Sequence, residues 1–218
     1  MSIAATLCLA FATLVVPTQV KPPDPPPGTA RIQVPPIQAP AGSPAAALTP
    51  APGNPLVVVS TSMGEFTLEL FKDRAPVSVE NFLQYVTDGH YEGTIFHRVK
   101  SGYVIQGGGY TPSLEEKPTR PAILNEATNG LRNLRGTLAM ARRQALRSAT
   151  SQFYINVSNN SALDHRGYSP DDFGYAVFGR VLTGMEVVDK IAATPTASAG
   201  DHEDVPVTPV LIQKVTVK

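Results

Sequence analysis

Phe96-His97-Arg98-Val99-Lys100-Ser101-Gly102-Tyr103-Val104-Ile105-Gln106-Gly107-Gly108-Gly109 sets one permanent cation and one side-chain amide among apolar residues, ahead of a glycine run. Alternation over residues 94–99 predicts a strand and residues 103–106 predict a second, with Lys100-Ser101-Gly102 as the turn between them. A connection that tight brings Arg98 and Gln106 close together across the pair. The surface it creates suits a ligand that is mostly apolar and is touched at one polar point.

Outward from this hairpin the pattern stays short-stranded. Residues 56–61 and 65–71 read as two strands joined at Ser62-Met63-Gly64, the second alternating Phe66, Leu68 and Leu70 with Glu65, Thr67 and Glu69. Pro76 opens a helical spacing of Val79, Phe82, Leu83 and Val86 that ends at Gly89. Further strands are expected over 136–141, 152–157, 175–181 and 210–217, with a polar, proline-bearing loop over 111–121. Thr183 and Glu186 make a capping-box pattern before Met185, Val187, Val188 and Ile191, which predicts a second helix. Many short strands and two separated helices point to an all-β barrel or sandwich, not to a parallel α/β fold.

Phe-His-Arg-Val followed closely by Ile-Gln-Gly-Gly-Gly resembles the central signature of the cyclophilin-type peptidyl-prolyl isomerases. Residues 76–82 (Pro-Val-Ser-Val-Glu-Asn-Phe), 136–141 (Gly-Thr-Leu-Ala-Met-Ala), 151–155 (Ser-Gln-Phe-Tyr-Ile) and 177–181 (Val-Phe-Gly-Arg-Val) follow in the family's order. The resemblance covers residues 56–218 and is nearest to the periplasmic cyclophilins of Gram-negative bacteria. It implies a closed eight-stranded antiparallel β-barrel capped by two α-helices, with an active groove on its outer surface. It also implies catalysis of X–Pro isomerisation with no cofactor and no metal. By position, Arg98 matches the catalytic arginine and Gln106 the groove glutamine. Ala141 and Gln152 match contacts to the peptide segment before the proline, and Arg142 matches a position whose backbone meets substrate. Tyr103, Val104, Tyr154 and Leu163 would line the proline pocket, with Phe96 supporting its wall from behind, and Tyr175 is a further substrate-binding position. Tyr103 and Tyr154 stand where the eukaryotic pattern has phenylalanine, Ala162 where it has tryptophan, and Tyr175 where it has histidine. The loss of the ring at Ala162 argues against strong cyclosporin binding.

Residues 3–16 form an uncharged apolar run of signal-peptide length, so residues 1–20 are expected to be an export signal, although no lysine or arginine precedes the run. Leu7 before the single cysteine, Cys8, is bulkier than a lipoprotein cleavage site accepts. Residues 17–55 hold 13 of the 21 prolines with almost no charge or aromatic side chain, a composition too poor in apolar surface to offset chain entropy. Residues 21–55 are therefore expected to be a disordered linker. The implied location is the periplasm, either free or tethered by an uncleaved N-terminal segment.

Eighteen basic residues balance 18 acidic ones, and removing Lys21, Arg31 and Asp24 leaves 16 and 17 in the domain. That balance gives no electrostatic reason to expect nucleic acid or an anionic membrane as partner. The expected partners are proline-containing unfolded or flexible polypeptides, met by a monomer with no stable membrane insertion after signal removal. A hydrolase lacks support, since there is no Gly-x-Ser-x-Gly elbow and the only cysteine lies in the signal. His90, His97, His165 and His202 show no metal-ligand spacing, and His97 is expected to be a hydrogen-bonded structural histidine. Gly107-Gly108-Gly109 lacks the Lys-Ser/Thr of a phosphate loop. The rival reading is a non-catalytic module that binds proline-containing segments as a chaperone; the pairing of Arg98 with Gln106 favours catalysis.

Overall fold

A computed structural model describes residues 49–218; the expected signal and the linker up to residue 48 lie outside the described residues. β1 (Leu56–Thr61) and β2 (Gly64–Leu70) form the expected hairpin, with Val57 opposite Leu68 and Val59 opposite Phe66 on its buried face. α1 (Pro76–Thr87) starts at the predicted proline, whose missing N–H costs nothing in a first turn. It buries Val79, Phe82, Tyr85 and Val86. No local side chain caps it. The Glu126 carboxylate does so from 48 residues away, accepting from the backbone N–H of Ser78 at 2.8 Å and of Val77 at 3.1 Å.

β3 (Arg98–Lys100) and β4 (Val104–Gly107) follow, then β5 (Thr137–Met140), β6 (Phe153–Asn156) and β7 (Val177–Thr183). After α2 (Met185–Ala192) come a small hairpin, β8 (Thr196–Ala199) with β9 (His202–Pro206), and finally β10 (Ile212–Val217). The antiparallel sheet runs β10-β1-β2-β7-β5-β6-β4-β3, while β8 and β9 pair only with each other. α1 packs against β10 and β7, and α2 against β2, β4 and β3. Their apolar faces meet a core in which Phe82 lies 5.0–5.5 Å from the rings of Tyr91, Phe153 and Phe178. Among the described residues no helix is long and apolar enough to cross a membrane.

The expectation of a closed eight-stranded barrel is corrected: the sheet is a curled half-barrel whose ladder ends at β10 and β3. Residues 94–97, expected as the first half of the Arg98 strand, leave the ladder. They meet the far edge only through an Ile95–Leu211 bridge and single hydrogen bonds such as Phe96 N–H to the Val210 carbonyl, 3.0 Å. The capping box is corrected too. Thr183 is the last residue of β7, paired with Thr67, and α2 starts from Gly184 at φ +85° with no side-chain cap. A Cβ at Gly184 would lie 2.6 Å from the Glu65 carbonyl, so the chain turns there on a residue that only glycine fits.

Candidate active groove

The ladder arranges the groove. Arg98 on β3 is in register with Gln106 on β4, Gln106 with Tyr154 on β6, Tyr154 with Ala139 on β5, and Ala139 with Val177 on β7. Residues directly opposite share a face, so these five form one cross-strand row. The neighbouring row, Val99, Ile105, Ile155 and Leu138, faces the main core. One sheet thus carries an apolar core on one face and a functional row on the other, and the period of two sorts the residues between them.

Val104, Ala139, Tyr154 and Val177 form a second, smaller apolar cluster, against which Tyr103, Ala141, Leu163, Tyr175, Phe71 and Leu131 pack. The four expected pocket residues are therefore brought together, with Tyr175 packed beside them. Phe96 is different: it is fully buried in the main core, 6.2 Å from the Phe153 ring. Arg98, Gln106, Gln152, Ala141 and Arg142 line a cavity of about 740 Å³ that adjoins this cluster. Gln106 Nε2 donates to Gln152 Oε1 at 3.0 Å. Gln152 can come that close to the glycine run because a Cβ on Gly109 would lie 2.5 Å from its Cγ. Arg142 closes the pocket from the side. Its guanidinium lies 4.8 Å over the Tyr175 ring and donates to the carbonyls of Gly174 and Pro170, at 3.0 and 2.7 Å.

Two supports were invisible in the sequence. Asp204 faces Arg98 from the β8–β9 hairpin, Oδ2 to Nε 3.6 Å, and adopts φ +57°, a left-handed backbone that aspartate tolerates better than most residues. The run Asp201-His202-Glu203-Asp204 has no alternation and reads as a polar loop. The second support is an asparagine network. Tyr154 donates its hydroxyl to Asn133 Oδ1 at 2.7 Å, Asn156 Nδ2 donates to the same oxygen at 3.2 Å, and Asn133 Nδ2 donates to the Leu163 carbonyl at 3.1 Å. A buried phenol needs a partner, and this one is tied to the backbone of the pocket wall. Burial and the neighbouring Tyr175 and Tyr103 hold the Tyr154 hydroxyl well above its ordinary pKa, so it stays a neutral donor. Tyr154→Phe is expected to lower stability by about 1 kcal/mol in urea unfolding, since Asn133 keeps the Asn156 donor, while peptide turnover changes less than about three-fold.

His97 departs from expectation. It is 5% exposed and packs 4.6 Å from the Tyr110 ring, but its Nδ1 has no hydrogen-bond partner among the described residues. Burial, then the charges of His202 and Arg98, lower its pKa to about 4. Between that value and the ordinary 6.5 the unfolded chain binds a proton there and the folded protein does not, so stability rises with pH across this window and is lost as pH falls through it. The difference is about 2–3 kcal/mol. Urea unfolding at pH 4.5 and 7 should show it, and His97→Asn should remove this part of the slope. Among the described residues no group of three or more His, Cys, Asp or Glu side chains could hold a metal ion.

A family model described as cyclophilin type peptidyl-prolyl cis-trans isomerase/CLD matches residues 56–217. The chain belongs to the cyclophilins. It is 52% identical over 161 residues to peptidyl-prolyl cis-trans isomerase A of Dickeya dadantii, covering 74% of this chain and 83% of that one. It is 51% identical over 162 residues to peptidyl-prolyl cis-trans isomerase B of Escherichia coli, covering 74% and 99%. A crystal structure of a Cryptosporidium parvum cyclophilin-type isomerase in the presence of the dipeptide Ala-Pro superposes with a TM-score of 0.64 at 26% identity, covering 75% of this chain and 98% of that one. Within this cyclophilin, the Arg98 row and the Tyr103–Tyr154–Leu163–Tyr175 cluster put a fixed cation beside an apolar pocket that adjoins a groove.

Proposed function

We propose that this cyclophilin accelerates X–Pro isomerisation during folding of exported proteins, with Arg98 stabilising the twisted amide. The enzyme class follows from the family and from relatives of more than 50% identity named as peptidyl-prolyl cis-trans isomerases. The observation that carries the mechanism is the register of Arg98 with Gln106 beside the apolar cluster. Rotation about the prolyl C–N bond breaks amide resonance over a barrier of about 18–20 kcal/mol and gives the nitrogen a usable lone pair. Only a contact stronger in the twisted state than in either planar state lowers that barrier. A guanidinium aimed at the nitrogen is such a contact, and it keeps its charge at physiological pH.

The pocket supplies the rest. Tyr103, Val104, Tyr154 and Leu163 hold the proline ring, with Tyr175 packed beside them, and Gln106, which donates to Gln152, holds the substrate carbonyl or orients Arg98. Full-chain protein should accelerate isomerisation of a cis-enriched Ala-Pro peptide far above the uncatalysed rate. Absence of acceleration by the folded protein would favour the chaperone reading, in which the same groove holds proline segments without turning them over. No cofactor is required for either reading, and the near-neutral charge of the domain suits flexible polypeptides rather than nucleic acid.

Export rests on the apolar run at residues 3–16 and the proline-rich stretch after it. Residues 1–55 fused to a reporter active only outside the cytoplasm should yield active reporter. Cytoplasmic retention of the fusion would remove the periplasmic assignment while leaving the enzyme reading intact.

A further inference from the structure

The cavity is sorted by charge. The connection between β5 and β6 contributes Arg142, Arg143 and Arg147 to one part of its lining, and Glu116 is the carboxylate among them, 3.2 Å from Arg143. Arg142 spends its donors on backbone carbonyls, and Arg147 makes no ion pair or side-chain hydrogen bond among the described residues. The β8–β9 hairpin contributes Asp201 and Glu203 to another part, with Asp204 just behind them beside Arg98. Three arginines thus meet one carboxylate on the first rim, and three carboxylates meet one arginine on the second. A domain with 16 basic and 17 acidic residues has no global field that would produce this separation.

The distance between the rims follows from the sheet. The arginine loop joins β5 to β6, the hairpin packs against β3, and β6, β4 and β3 are consecutive neighbours. At the usual strand spacing the rims are roughly 14 Å apart. An extended peptide covers that span in about four residues. The cross-strand row bearing Arg98 and Gln106 lies between them.

We propose that the groove selects X–Pro peptides by the polarity of their flanking charges: an acidic residue over Arg143 and Arg147, and a basic residue on the other side of the proline, over Asp201 and Glu203. This rests on the isomerase reading and adds specificity to it. Charges on a partly open rim act mainly through encounter and orientation, so the effect is salt-dependent. Because both ends contribute, a peptide in the favoured polarity gains over its reverse by about five-fold at low ionic strength.

The test uses full-chain protein and three peptides: an uncharged Ala-Pro parent, a form with Glu two residues before the Ala-Pro and Lys two residues after it, and its reverse. The two charged forms have the same composition and the same Ala-Pro centre. The readout is the ratio of their kcat/KM values, from which any general loss of activity cancels. A ratio near five, in either direction, that falls toward one both in about 1 M salt and in the Arg143→Glu/Arg147→Glu variant, whose two rims are then both acidic, supports the proposal. Both residues are exposed, so the variant keeps the fold. Equal kcat/KM for the two charged peptides at low salt, or a ratio unchanged by the double reversal, overturns it. Failure to accelerate the uncharged parent overturns the isomerase reading itself, and the proposal with it.

Discussion

Arg98→Ala is expected to lower kcat/KM for X–Pro isomerisation about 10²–10³-fold while leaving circular dichroism and urea unfolding close to those of the native protein. The fold survives because Arg98 contributes to the sheet through its backbone pairing with Gln106, and its side chain is 37% exposed. Asp204 loses its cation but remains partly solvated, so no buried charge is stranded. Turnover is expected to fall because no other cation is in register with Gln106 and Tyr154. Arg98→Lys separates charge from geometry: an ammonium is a point charge without the planar fork, and should restore only part of the lost rate. Peptide isomerisation followed by NMR exchange measures all three proteins without a coupling protease. Full activity in a folded Arg98→Ala protein would remove the guanidinium from the mechanism and leave the pocket alone to account for turnover.

Arg98 and Gln106 could be paired from the sequence because Lys100-Ser101-Gly102 leaves a short connection and alternation sets the faces; the ladder then aligns them residue for residue. The first helix was legible for similar reasons, since Pro76 and the spacing of Val79, Phe82 and Val86 are local signals. The second helix was found but its start was misassigned. Thr183 and Glu186 match a capping box in spacing, yet Thr183 is held in β7 by pairing to Thr67, and tertiary pairing outweighs a local cap. The β8–β9 hairpin was missed altogether. Thr196–Ala199 is small and mostly exposed, so no apolar period marks it, and with it went Asp204, the residue that faces Arg98. Asn133 was missed because an isolated asparagine has no pattern; only the fold shows that Tyr154, Asn156 and Leu163 converge on it. Closure came from the family resemblance alone, and no local pattern shows that residues 94–97 leave the ladder between the third strand and the last.

Glu69 is where alternation and burial part sharply, and its replacement is expected to cost several kcal/mol of stability. In the pattern of β2 it falls on the polar side with Glu65 and Thr67, which predicts a solvated carboxylate. In the structure it is fully buried. The cover comes from the residues before β1: the Ala51 backbone N–H and Asn54 Nδ2 both donate to Glu69 Oε1 at 2.8 Å, while Arg180 Nε and Nη2 both reach Oε2 at 2.8 Å. Burial alone would raise the carboxyl pKa, but the bonds from Asn54, Ala51 and Arg180 outweigh it and hold the value below the ordinary 4.5. A lowered folded value means stability that is present above the unfolded value and lost as pH falls through the folded one. Glu69→Ala leaves Arg180 and two further donors without their acceptor, at a cost of about 3–5 kcal/mol near pH 7. Glu69→Gln keeps the shape but not the charge, and should fall between that variant and the native protein. In urea unfolding the gap between native protein and Glu69→Gln should narrow as pH drops below 4.5, because protonation makes the native side chain uncharged as well. Residues 49–55 should also become sensitive to protease in both variants while the isomerase groove, on strands β3 to β6, keeps its activity as long as the domain is folded. A Glu69→Ala protein of native stability would mean that the N-terminal segment and Arg180 find other partners, and that the clamp contributes nothing to the fold.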